Sequence, residues 1–195
     1  MNADTFVFFG IVGSGKGTQV KLLMEFLKQK DGKECVYAYP GNEYRRFMEL
    51  GTYTGTLVKD SMNRGELQPD FLTNAIFTNI LVEGVSPDKH LIADGYPRTV
   101  LQSENFDALM KFFKRDKVKI IYIQVGKEEA VKRNKLRGRE DDNDEGIARR
   151  FDEYVNNVVP SMQYFDGKAG YQMHTINGEQ PVEKVHEDII KALGY

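Results

Sequence analysis

The stretch Gly10-Ile11-Val12-Gly13-Ser14-Gly15-Lys16-Gly17-Thr18 nearly fits the phosphate-cradling pattern G-x-x-x-x-G-K-[ST]. Glycines let backbone N–H groups turn inward around phosphate oxygens, and a following helix adds partial positive charge. Lys16 can then reach terminal phosphates as a mobile cation. Gly17 stands where the pattern has a metal-binding hydroxyl, and Thr18 comes one residue later. The competing reading is a Gly-rich turn with a solvated lysine. A second group is Asp94-Gly95-Tyr96-Pro97-Arg98-Thr99, and a third is Arg133, Arg137, Arg139, Arg149 and Arg150 among Glu140, Asp141, Asp142, Asp144 and Glu145. By composition alone the third group is a solvated, ion-paired helical face. Arginines also suit bidentate binding of phosphate, with a charge that never titrates away.

These groups need elements to hold them. Phe6-Val7-Phe8-Phe9 reads as a short buried strand, and Val20, Leu23, Phe26 and Leu27 give helical spacing over 18–30, closed by Asp31-Gly32. Further strands are expected at 35–39, 90–93, 118–125 and 171–176. Polar helical segments fill 42–84, broken by Gly51, Gly65 and Pro69. Helices are expected at 99–113, 128–136 and 182–193, with one long amphipathic helix over 143–165 despite Pro160. Strand-helix alternation predicts an α/β fold with a parallel sheet covered on both faces. Such sheets bind ligands beyond the C-terminal ends of their strands, where Gly10 and Asp94 fall.

The 195 residues suit one domain, and 41% hydrophobic with 29% charged residues is an ordinary globular balance. A net charge of -2 gives no global field for nucleic acid or membrane. One cysteine, Cys35, rules out an internal disulfide and a cysteine zinc site. His90, His174 and His186 lack ligand spacing and read as packing or surface residues. The first residues lack a secretory signal and no apolar run approaches the roughly 20 residues of a membrane span, so a cytoplasmic location is expected.

Taken in order, the motifs resemble the adenylate kinase family of nucleoside monophosphate kinases. Its loop reads G-x-P-G-x-G-K-G-T, so Gly17-Thr18 is the family's own variant, and Val12 replaces its proline. Asp94 to Thr99 corresponds to its D-G-F-P-R-T. Arg139-Glu140-Asp141-Asp142-Asn143 with Arg150 resembles R-x-D-D-N and a downstream arginine, and Arg133 and Arg137 match two arginines ahead of it. Gly51, Gly55, Gly65, Leu67 and Asp70 match its acceptor-site spacing. The similarity covers essentially the whole chain. It implies a P-loop fold with a five-stranded parallel sheet, forming a single kinase domain over 1–195. It implies an acceptor-binding insertion over 40–69 and a minimal lid over 137–142.

The implied reaction transfers the γ-phosphate of Mg-ATP to AMP, giving two ADP. The resemblance assigns Gly13, Ser14, Gly15, Lys16, Gly17, Thr18, Arg133 and Arg137 to ATP. It assigns Arg45, Leu67, Gln68, Gly95, Arg98, Gln102, Arg139 and Arg150 to AMP. Lys16, Arg98, Arg137, Arg139 and Arg150 would be catalytic, and Asp94 would hold Mg²⁺ mostly through water. Asp94 as a turn cap and Gln102 as a surface glutamine are the plainer readings. The resemblance further implies a monomer without structural zinc. The alternatives are a UMP/CMP or broad-specificity monophosphate kinase, and a P-loop regulator without catalysis.

Three features depart from the family. Tyr39-Pro40-Gly41-Asn42 replaces S-T-G-D or S-A-G-D, and Pro40 offers neither a hydroxyl nor an N–H. Gln68 stands where a backbone carbonyl meets the adenine amine. Only Gly138 separates Arg137 from Arg139. A lid this short predicts more ATP hydrolysis without acceptor than in a long-lid relative; an equal or lower rate would refute it.

Overall fold

The computed structural model describes residues 3–137 and 144–195, without the side chains of Arg137 and Asp144. Five strands form one sheet: β1 (Thr5–Phe9), β2 (Cys35–Ala38), β3 (His90–Asp94), β4 (Val118–Gln124) and β5 (Tyr171–Asn177). Their order is β2-β3-β1-β4-β5 and every pairing is parallel. The register sets Phe8 beside Asp94, so the ends of β1 and β3 meet at one edge. This fold is the α/β, P-loop type that the sequence implies.

Alternation along β1 divides the core. Val7 and Phe9 pack with Phe77, Leu81, Tyr96 and Phe106 on one face. Phe6 and Phe8 pack with Val20, Leu23, Leu27 and Ile189 on the other. Every residue of β1 and of β3 is buried, as strands covered on both faces require.

Helix α1 (Lys16–Asp31) starts at the end of the glycine loop and stops at Gly32, whose left-handed N–H bonds to Lys28 O. Between β2 and β3 run α2 (Pro40–Glu49), α3 (Tyr53–Asn63) and α4 (Asp70–Gly84). Pro40 opens α2 in its first turn, where a missing N–H costs nothing. This places the helix start two residues earlier than sequence periodicity does. The Thr52 hydroxyl accepts from Gly55 N–H to cap α3. Helix α5 (Val100–Phe112) is capped in the same way by Thr99, which accepts from Gln102 N–H.

Helix α6 (Lys127–Arg137) follows β4, and α9 (Val182–Ala192) follows β5. The helix expected over 143–165 runs without a break from Asp144 to Gln163, but as α7 (Asp144–Glu153), a π-helical turn (Tyr154–Val158) and α8 (Val159–Gln163). The cause is Pro160, whose ring and missing N–H disturb the preceding turn of an α-helix. The wider turn accommodates it, with Val159 N–H bonding five residues back to Tyr154 O. Among the described residues no helix is long and apolar enough to cross a membrane.

Candidate active site

A cleft of about 1400 Å³ opens beyond the C-terminal ends of β1 and β3. It brings together Gly13, Ser14, Gly15, Lys16, Gly17, Thr18, Arg45, Leu67, Gln68, Asp94, Gly95, Arg98, Gln102, Arg133 and Arg150. The Arg137 side chain and all of Arg139 lie outside the described residues, with Glu140, Asp141, Asp142 and Asn143 and hence most of the expected lid.

Geometry at the loop end comes from backbone. The Lys16 ammonium donates to Gly10 O at 2.6 Å and to Ile11 O at 3.0 Å, which holds it across the loop. Gly13 has φ +86°, and a Cβ there would lie 2.6 Å from Ala130 O. Only glycine lets the loop lie this close to α6. Arg133, on the same helix, donates to Glu129 at 2.8 Å and is 29% exposed.

Asp94 is 6% exposed at the end of β3. The Tyr37 hydroxyl donates to its Oδ2 at 2.9 Å. Burial, and then the carboxylate beside it, push the Tyr37 phenol well above its usual pKa, so it stays a donor. Among the described residues no three His, Cys, Asp or Glu side chains converge as a metal site. One carboxylate beside a phosphate loop fits magnesium, which keeps water and phosphate oxygens as its other ligands.

The opposite end is built from side chains. Arg98 Nε donates to Gly95 O at 2.9 Å. Its backbone N–H donates to Gln102 Oε1 at 2.8 Å, and Gln102 Nε2 donates to Asp70 Oδ1 at 2.7 Å. The Thr99 hydroxyl reaches the same Asp70 oxygen at 2.8 Å. Gln102 is 1% exposed, and these two contacts use one amide proton and one lone pair of its side chain. Gln68 turns its amide onto Ser61 Oγ at 2.7 Å. Arg45 donates to Gly41 O at 3.0 Å, to Asn42 Oδ1 at 3.3 Å and to the Tyr39 hydroxyl at 3.2 Å.

Sequence reasoning missed four residues of this wall. Tyr37 and Tyr39 stack with ring centroids 5.7 Å apart, and Tyr44 shares a 2.7 Å hydrogen bond with Thr73. The two-residue spacing of Tyr37, in β2, and Tyr39, in extended backbone just past its end, was the available signal. Arg149 pairs with Glu66 at 3.0 Å, as the ion-paired reading of the basic segment expects.

The family model described as adenylate kinase matches residues 8–170. The chain is 34% identical over 191 residues to an adenylate kinase of Bacteroides fragilis, covering 96% of each chain. It is 32% identical over 183 residues to that of Prochlorococcus marinus, covering 94% of each. It is also 30% identical over 220 aligned residues to that of Thermosipho melanesiensis, covering 96% of this chain and 98% of the relative.

Proposed function

The chain belongs to the adenylate kinase family, and we propose how its cleft carries out that family's reaction, ATP + AMP giving two ADP. The observation that carries the reading is one cleft holding both the glycine loop with Lys16 and the end of β3 with Arg98. At about 1400 Å³ it exceeds the roughly 300–1,000 Å³ of a pocket for one small ligand, as two nucleotides require.

An oxygen of the AMP phosphate attacks the γ-phosphorus in line, and the bond to the β,γ-bridging oxygen breaks. ADP leaves with that electron pair. The attacking phosphate is already nucleophilic near neutral pH, so positioning and charge neutralisation carry the catalysis. Backbone N–H groups from Gly13 to Thr18 and the Lys16 ammonium hold the donor phosphates, after Lys16 exchanges its carbonyl contacts for phosphate oxygens. Arg45 and Arg98 hold the acceptor phosphate. Arg150, with Arg137 and Arg139, neutralises the group in transfer. Arg133 packs on the donor adenine, while Gln102, Leu67 and Gln68 line the acceptor base. Residues 40–69 serve as the acceptor insertion and 137–142 as the lid. Mg²⁺ bound with ATP would be held through Asp94 and water, supplying charge neutralisation.

An ATP-driven assay across AMP, GMP, UMP, CMP and dTMP tests this reading. ADP formation fastest with AMP is expected. Preference for a pyrimidine monophosphate would overturn the acceptor assignment, and no product with any acceptor would overturn the enzyme.

A further inference from the structure

We propose that Asn134, on α6 and outside the arginine set, is a positioning residue that fixes the phosphate loop for the donor nucleotide. This rests on the phosphotransferase reading and deepens it. Asn134 is 0% exposed. Its Nδ2 donates to Val12 O at 3.0 Å, across 122 residues of sequence, and to Ala130 O at 2.8 Å. Its Oδ1 is buried and has no hydrogen-bond partner among the described residues.

For stability alone this side chain is a poor choice. A buried unpaired carbonyl costs free energy, and asparagine is a weaker helix former than leucine. A leucine of similar shape would avoid both costs. What leucine cannot do is grip the Val12 carbonyl. That carbonyl belongs to the Val12–Gly13 peptide, and in a trans peptide the N–H points opposite to the C=O. Holding Val12 O against α6 therefore turns the Gly13 N–H away from α6, and Gly13 lines the cleft. The approach is close: a Cβ at Gly13 would lie 2.7 Å from Asn134 Nδ2. Val12, unlike proline, does not lock its own φ, so this contact fixes the Val12–Gly13 peptide beside the Lys16 contacts with Gly10 O and Ile11 O. The same helix carries Arg133 and Arg137, so the grip also couples the donor loop to the donor-side cations.

The test is Asn134→Leu in the full chain, with thermal unfolding, steady-state kinetics for both substrates, and ATP affinity measured without AMP. Expected are a weaker ATP Kd and a Tm lowered by no more than the loss of one part-buried hydrogen bond. The KM for ATP should rise about tenfold, the size of change that losing one hydrogen bond produces, with the KM for AMP within about twofold. Asn134→Ala gives a second route to the same ATP-selective loss if the leucine variant does not fold. ATP affinity and kinetics unchanged in either folded variant, whatever the Tm, would overturn the positioning role. A wild-type chain that makes no ADP from ATP and AMP would overturn the phosphotransferase reading instead.

Discussion

At the donor end the chain turns its backbone toward the cleft, with Gly13 and Gly15 at positive φ and Lys16 resting on loop carbonyls. At the acceptor end the same cleft is walled by side chains already bonded to one another: Gln102 to Asp70, Tyr44 to Thr73, Gln68 to Ser61. The first arrangement depends on residues that are hard to exchange, since φ and close approach dictate them. The second depends on pairs, and a pair can be exchanged for another of similar shape. The kept pattern at 13–18 follows from the first, and the change at Gln68 falls in one such pair, with Ser61. The largest expected effect tests whether both ends serve one reaction. Lys16→Ala and Arg98→Ala should each lower kcat by at least about 10², as removal of a transition-state charge contact does. Near-normal turnover in either variant would detach that end from the chemistry.

The next effect separates positions within the donor loop. Gly13→Ala places a Cβ 2.6 Å from Ala130 O at φ +86°, whereas a Cβ at Gly17 meets nothing within 4 Å. Gly13→Ala should cost roughly 1–3 kcal/mol of stability and weaken ATP binding. Gly17→Ala should leave the unfolding midpoint unchanged or slightly raised. Denaturant titration with ATP affinity decides, and equal effects at the two positions would remove close packing on α6 as the reason for Gly13.

The donor loop was legible in the sequence as a unit, whereas at the acceptor end Arg45, Arg98 and Gln102 were legible as residues but the contacts that hold them were not. A strand, a glycine loop and a helix are contiguous in sequence, so spacing alone signals them. The contacts of Gln102, Tyr44 and Tyr37 join separate elements: Asp70 on α4, Thr73 on α4 and Asp94 on β3. Sheet order brings β2 to β3, and helix packing brings α2 and α5 to α4. Asn134 was hidden for another reason, because a polar residue in a charged helix reads as solvated. The π turn in the 143–165 helix had its signal in Pro160. Apolar periodicity masked it, since a π turn adds one residue without moving the apolar face far.

Gln102→Leu probes the paired wall directly. It leaves the Arg98 N–H without its acceptor, while Asp70 keeps the Thr99 hydroxyl. The expected outcome is a KM for AMP raised about tenfold with the KM for ATP unchanged, from one buried donor left unpaired. A matching rise for ATP would show that the two ends are not separately built.

The smallest effect is expected where the acceptor insertion meets α7. Arg149 on α7 donates to Glu66, at the edge of the acceptor insertion. Glu66 is also gripped by Arg64, through Nε and Nη2 at 2.8 Å each, and these contacts hold its carboxyl below the usual range. Both residues of the cross-cleft pair are substantially exposed, so water and salt screen it. Arg149→Ala should change the KM for AMP by less than about twofold, and added salt should erase the difference. Gly65 marks the closer contact: φ is +74° and a Cβ would lie 2.7 Å from Gly146 O. Gly65→Ala should therefore weaken AMP binding more than Arg149→Ala does. The reverse ranking would mean that charge, not backbone packing, joins the acceptor insertion to α7, so that the acceptor end is built from side chains at this edge too.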